Sequence, residues 1–493
     1  MTLALTHIAY FSTIALLFAM VPMGFLGDLQ DTTKTLFIVG FLGMWRYSWA
    51  MINFGRAFVY RLWAWPRRKA AYQRGFEAIG ARSHMYVMIT SYMVDPEVTL
   101  MVYRRLFAAC ANARDGATIV ASVVDGADER LIRQIYETSR EDLSNTRLVI
   151  DRIKANGKRD AMMKALRILA TFHPTQHDIM VFIDGDTAPP DDLWAQSAPV
   201  FSDPQVGALT TDEAALIDER GLFRDWFDLR FHQRNVMMSS MGLSKRVLTL
   251  TGRLSVFRAS LATDPGFIRG VGQDYLDHWR LGRVDFLTGD DKSTWYWLLT
   301  HGYQTIYLPD VQSESVETQP KPGFVDSAKT LMIRWFGNMM RTNGRALRQS
   351  PARIGYFTWW SILDQKVSMW TTLVGPLSVL FTAVLHTPYV IPLYLGWVML
   401  TRYVFCAIIS VFNGTWFPVT HPLVLYFSQV FGAMLKTYVF FRLDRQKWTR
   451  QSSSSGGSTT SLFDRVKQWE SLAHHSVALT FLALAILFLN TVE

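Results

Sequence analysis

The sequence predicts a doubly wound α/β domain held between helical segments of membrane length. Three observations lead there. Short apolar strings alternate with helical patterns through the middle of the chain, long apolar runs lie before and after them, and the composition fits neither part alone. Of the 493 residues, 49% are hydrophobic and 14% aromatic, while 18% are charged. A soluble enzyme is less apolar than this, and a bare bundle of spans carries fewer charges.

The first apolar run, residues 3–26, lacks the basic start and small-residue cleavage site of a signal peptide. It exceeds the roughly 20 residues needed to cross a bilayer, so it reads as a retained span. A second run, residues 36–63, is interrupted by Arg46 and Arg56. Lipid penalises both, so they must face protein, water or headgroups, and Arg56, near the end, fits snorkelling. Residues 1–65 thus form two N-terminal spans. The basic group Arg67, Arg68 and Lys69 closes them.

Residues 66–325 contain no run long enough to span. The strings 85–91, 117–124 and 179–183 read as buried strands, with helical patterns at 97–114 and 129–140 between them. Strand–helix–strand repetition builds a doubly wound sheet, and ligands bind such sheets at the carboxyl ends of the strands. Residues 326–365 read as amphipathic interface helices, and residues 366–493 as a C-terminal membrane region. Its apolar segments are 367–385, 389–412, 423–441 and 477–492, with a basic, serine-rich loop at 442–476. Three full spans would put Arg442 to Arg450 on the outer side, against the positive-inside rule. Segment 423–441, which carries Lys436, is therefore expected to lie in the interface.

The net charge of +9 does not imply nucleic acid, because basic residues such as Arg442, Arg445 and Lys447 flank apolar segments. Cys110 and Cys406 lie in different regions and neither form a metal site alone nor mark an oxidising compartment.

Chemistry concentrates in five motifs. Val181-Phe-Ile-Asp184-Gly-Asp186 ends a strand in two carboxylates one residue apart. Positions i and i+2 of a strand point the same way, so both carboxylates can converge on Mg²⁺ or Mn²⁺; an Asp-Gly turn is the plain alternative. Asn156-Gly-Lys158-Arg159-Asp160 precedes a helical pattern and offers two cations to a diphosphate, or else a solvated basic turn. Asp125, after a strand, can accept bonds from a nucleoside or cap a helix. Thr288-Gly-Asp290-Asp291 places carboxylates after a tight turn, one suited to act as a general base and one to cap a helix. Arg334-Trp335 offers a cation to a leaving diphosphate and a flat face to a sugar, or an interfacial anchor.

In this order the motifs resemble the processive synthases of glycosyltransferase family 2, the group of cellulose, chitin and hyaluronan synthases. The resemblance covers most of the chain and implies a GT-A fold, a nucleotide-sugar donor and inversion at the anomeric carbon. It would have Asp125, Lys158 and Arg159 hold the donor with Asp184, and Asp184 with Asp186 hold the metal. Asp291 would be the base, with Asp290 beside it, and Arg334 and Trp335 would line the donor end of a channel. Leu331 departs from the family pattern, which has Gln there.

Residues 243–257, 286–293 and 441–451 are similar to the alginate-polymerising branch of the family. That similarity implies GDP-mannuronate as donor, a growing polymannuronate chain, the inner membrane of a Gram-negative bacterium and a cytosolic catalytic domain. It further implies a co-polymerase subunit with a cyclic di-GMP receptor domain and a periplasmic alginate export machinery. Thr251, Gly252 and Arg253 would then meet the acceptor, with Arg253 reading sugar carboxylates unless it pairs with an acidic neighbour. Trp448 would belong to a gating loop within 442–475 that closes over the donor. Polyanionic product would likewise account for Arg46 and Arg402 inside apolar segments. A UDP-sugar synthase of the same class is the rival enzyme. A non-catalytic scaffold or transporter is opposed by the intact Asp186 and Asp291.

Overall fold

The computed structural model describes residues 2–25, 33–445 and 462–491. Its centre is an eight-stranded mixed sheet in the order β3-β2-β1-β4-β7-β6-β10-β5. The three expected strands are β1 (Met85–Thr90), β2 (Ala117–Val123) and β4 (Ile179–Asp184). They are joined by β3 (Thr146–Arg152), β5 (Thr187–Ala188), β6 (Val206–Leu216), β7 (Leu254–Arg258) and β10 (Gln304–Val316). A separate hairpin pairs β8 (Tyr275–His278) with β9 (Gly282–Asp285).

Strands β1 and β2 bury nearly every side chain, as parallel strands covered on both faces by helices must. Helices Pro96–Ala111, Gly126–Thr138 and Lys158–Ala170 form where the helical patterns stand. The first is fixed by Asp95, which accepts from the Glu97 amide, and by Pro96 at its first turn. Pairing β1 with β2 on one side and β4 on the other makes a topological switch point at their carboxyl ends. Strand β7 runs antiparallel between β4 and β6, so the sheet is mixed, not uniformly parallel.

Among the described residues, four helices are long and apolar enough to cross a membrane: Tyr356–Leu385, Val390–Asn413, Thr420–Phe440 and Asp464–Phe488. The third covers segment 423–441, expected to lie in the interface, and is long and apolar enough to span. Lys436 does not face lipid unprotected; its ammonium sits 4.9 Å over the Phe336 ring. The first of the four is continuous across the boundary expected at residue 365. At the N-terminus, Thr2–Ala19 is a shorter apolar helix, and Thr33–Val59 runs through a π-turn at Tyr60–Ala64 into Trp65–Ile79.

The span arginines are held by protein. Arg46 pairs with Asp364 at 2.6 Å and also donates to Thr371. Arg402 donates to Gln429, Tyr47 and Thr401. Arg56 donates to the Ser240 carbonyl and to Ser244, and stacks 3.6 Å over Phe357. Buried charge needs a partner, and these have one without any polyanion; Arg56 does not snorkel.

Candidate active site

Asp184 closes β4, and its neighbour across the sheet is Thr90 at the end of β1. Lys158, the first residue of its helix, places Nζ 2.6 Å from Asp184 Oδ1 and 3.0 Å from Asp290 Oδ2. Gly252 lies against this trio. A Cβ there would stand 3.1 Å from Lys158 Nζ and 3.5 Å from Asp184 Oδ2, so a side chain would crowd the ion pairs. Asp290 and Asp291 open the helix Asp290–Thr300 directly after Gly289, whose φ of +84° is a left-handed conformation that favours glycine. A Cβ at Gly289 would also come within 2.8 Å of Asn338.

The two adjacent carboxylates have different surroundings. Asp290 is 4% exposed; burial alone would raise its pKa, but Lys158 and Arg159 bring it below the usual carboxylate range. Asp291 is partly exposed to the cavity, and burial, followed by the like charge of Asp290, holds its pKa above that range. Asp184 is pushed up to about 7 by burial, with Asp186 and Asp290 adding repulsion against the pull of Lys158. The Lys158 ammonium is itself held protonated by Asp184 and Asp290 against the effect of burial.

These groups line one cavity of about 1590 Å³. Its lining takes in the ends of β1 and β2, the carboxylates Asp184, Asp186 and Asp291, the Arg334–Trp335 pair, and Gln365 and Tyr438. The last two belong to helices of membrane-spanning length. Trp335 stacks on Trp226 with centroids 5.7 Å apart and planes at 30°.

A model of the glycosyltransferase-like family 2 matches residues 82–338, which include every one of these groups up to Trp335. The chain belongs to glycosyltransferase family 2. Two relatives bear the name glycosyltransferase alg8. The one from Pseudomonas syringae pv. tomato is 37% identical over 90% of this chain and 89% of its own. The one from Azotobacter vinelandii is 38% identical over 93% of each. Among solved structures, a mannosyltransferase from Pyrobaculum calidifontis, in complex with GDP-Man and Mn²⁺, shares 17% identity at a TM-score of 0.44. The match covers 80% of this chain and 100% of that one.

Several residues of this glycosyltransferase stand otherwise than their motifs suggested. Arg159 is buried and donates to the carbonyls of Val271 and Thr288 and to Ser293 Oγ. Its fork ties the helix of Lys158 to the Gly-Asp-Asp turn, bonding to protein groups rather than standing open as a solvated basic turn. Asp125 is exposed and caps the helix Gly126–Thr138 by accepting from the Ala127 amide at 2.9 Å. Thr251 holds its own turn, donating from Oγ1 to the Leu254 carbonyl. Leu331 is buried among apolar side chains that include Trp226 and Phe54, which explains an aliphatic residue where the family pattern has a polar one. Trp448 lies outside the described residues, as do residues 446–461 of the expected gating loop; from Leu462 onward the stretch expected as loop is instead the start of the last helix, Leu462–Thr491.

Arg253 lines the cavity, but its fork is already closed on acids. Nε lies 2.9 Å and Nη2 2.5 Å from Glu317 Oε1, and Nη1 lies 3.4 Å from Glu213 Oε2. The expectation that it reads a sugar carboxylate gives way to the paired alternative. The Glu213 side chain is only 1% exposed, so Arg253→Gln is expected to strand a buried charge and destabilise the protein by about 3 kcal/mol. That is the low end for breaking a buried pair, because Arg234 still faces Glu213. A thermal melt of the variant checks this, and an unchanged midpoint with altered uronate turnover would restore the carboxylate-reading role.

Sequence reasoning missed Glu213, Glu317, Trp226 and Arg341. Arg341 is 2% exposed and donates to Thr288 Oγ1, Asn338 Oδ1 and the Leu443 carbonyl, tying the Gly-Asp-Asp turn to the chain just before residue 446. Its charge gave no signal, since arginines crowd the same stretch. Asp184 and Asp186 form a pair of hard oxygen donors whose like charges repel, which fits Mg²⁺ or Mn²⁺. No group of three candidate ligands exists among the described residues, so donor phosphate oxygens and water would have to complete the shell.

Proposed function

We propose that this chain polymerises GDP-mannuronate into β-1,4-linked polymannuronate, the precursor of alginate, and passes the chain through its own spans. The relatives named alg8 support the polymer. The observation that carries the reading is the single cavity joining the carboxylates to Trp335 and then to helices of spanning length. A soluble transferase needs no such route. A growing chain does.

In this reading the donor lies over the ends of β1, β2 and β4, with its diphosphate beside Lys158 and its nucleoside towards the outer oxygen of Asp125. Mg²⁺ or Mn²⁺ held by Asp186 and Asp184 would neutralise charge on the departing diphosphate. Asp291 takes the proton of the acceptor's 4-hydroxyl. The freed oxygen pair bonds to the anomeric carbon from the face opposite the diphosphate, which leaves with the electrons of the broken bond. An α-linked donor so yields a β-linked polymer. Asp290 keeps Lys158 in place, and the Arg334–Trp335 pair supports the sugar end of the channel. The basic segment after the second span supports a cytosolic domain on an inner-membrane protein. A cyclic di-GMP-receptor co-polymerase and a periplasmic export machinery complete the proposal.

A donor panel tests it. Membranes containing the full chain, with its membrane partners, are expected to release nucleotide and build polymer with GDP-mannuronate and not with UDP-glucuronate or UDP-glucose. Polymer from a UDP-sugar alone would refute the assignment.

A further inference from the structure

We propose that Arg230 recognises the carboxylate of a uronate unit in the acceptor chain, a specificity contact that rests on the polymannuronate reading above. Arg230 sits four residues after Trp226 on the helix Leu222–Gly242, so the two share a face. Its guanidinium carbon lies 4.0 Å from the centroid of Trp335 and 5.2 Å from that of Trp226. The side chain lines the same cavity as Asp291 and Arg334.

What sets it apart from the other cavity arginines is how its bonding capacity is used. Arg253 is closed on Glu317 and Glu213, and Arg234 donates to Thr210 and Thr211 beside Glu213. Arg230 makes only ring contacts, with no carboxylate in ion-pair range and no hydrogen bond among the described residues. Its nearest electrostatic counterpart, Glu317, is engaged by Arg253. Burial, and then repulsion from Arg253, pull its pKa down to about 10 against the partial counter-effect of Glu317.

Stacking on an indole occupies the face of a guanidinium and leaves its N–H donors free in the plane. Those donors match a carboxylate bidentately. A neutral sugar has nothing to offer this fork, whereas a uronate resting near the Trp335 ring brings a carboxylate on every unit. The desolvation penalty of the arginine is then met by the polymer and not by the protein.

The test uses the full chain in lipid nanodiscs with two probes: a mannuronate oligosaccharide of fixed length, and the same oligosaccharide with its carboxyls reduced to alcohols. The wild type is expected to bind the charged probe more than 10-fold better, about what one bidentate charge-assisted contact supplies. In Arg230→Gln that preference should fall about 10-fold towards parity, and in Arg230→Lys, which keeps the charge without the fork, it should be intermediate. An unchanged preference in Arg230→Gln, or equal weakening of both probes, would overturn the inference and leave the polymannuronate reading standing. Should the Gln variant fail to fold, a full wild-type preference in Arg230→Lys would overturn it equally. A wild type indifferent to the carboxylates would instead sink the polymannuronate reading itself.

Discussion

Asp291→Asn is expected to bind donor much as the wild type does and to lose turnover by about 10²–10⁴-fold, the usual contribution of a positioned general base. Asparagine keeps the shape and removes the basicity. The neighbouring Asp290 is the rival, and the two differ in surroundings more than in sequence. Asp290 is 4% exposed and clamped 3.0 Å from Lys158, with its pKa lowered, so it is a poor proton acceptor. Asp291 faces the cavity with its pKa raised by burial and by Asp290. Activity requires the deprotonated form. The acid limb of the pH profile should therefore lie above the usual carboxylate range, with activity rising as pH climbs through it. Asp290→Asn removes the like charge and should move that limb to lower pH, while weakening donor binding through the loosened Lys158. Donor affinity and single-turnover rates for both variants decide the matter. Near-normal polymerisation by Asp291→Asn, with an Asp290→Asn that binds donor yet cannot transfer, would reverse the roles.

The second large effect concerns the end of β4. Asp186→Ala, like removal of divalent cations by EDTA, should reduce polymer synthesis by at least about 10²–10³-fold, because charge developing on the diphosphate would then meet no fixed counter-charge. The protein should still insert and melt near the wild-type temperature, since Asp186 carries no part of the core. Full turnover in EDTA, or in the variant, would contradict a metal at Asp184 and Asp186.

How much of this was legible in the sequence follows from which forces left a local trace. Strands β1, β2 and β4 were plain because a strand buried on both faces must be apolar throughout. Strand β6 was not, because the polar Thr210, Thr211, Asp212 and Glu213 are buried within it and interrupt any apolar run. Their cost is offset from afar: Tyr307 donates to Asp212 at 2.8 Å, Asn235 to the same carboxylate, and Arg234 and Arg253 face Glu213. Such partners lie tens of residues away, beyond any periodic pattern. The candidate-site motifs were legible as carboxylates after strands and tight turns. The division of labour among the arginines was not, since Arg159, Arg253 and Arg230 look alike in sequence and differ only in what tertiary contact offers them. The surroundings of Lys436 were hidden for the same reason, because a lysine in an apolar run says nothing of the aromatic ring beneath it.

The claim that one chain both builds the polymer and conducts it is tested most directly in inverted membrane vesicles, where the catalytic domain faces the medium. GDP-mannuronate is added outside, and the product is then challenged with an alginate lyase that cannot cross the membrane. The account predicts long polymer protected in the lumen, cleaved only after detergent is added, and absent with Asp291→Asn. Polymer that is made at the wild-type rate but stays outside, fully open to the lyase, would contradict it.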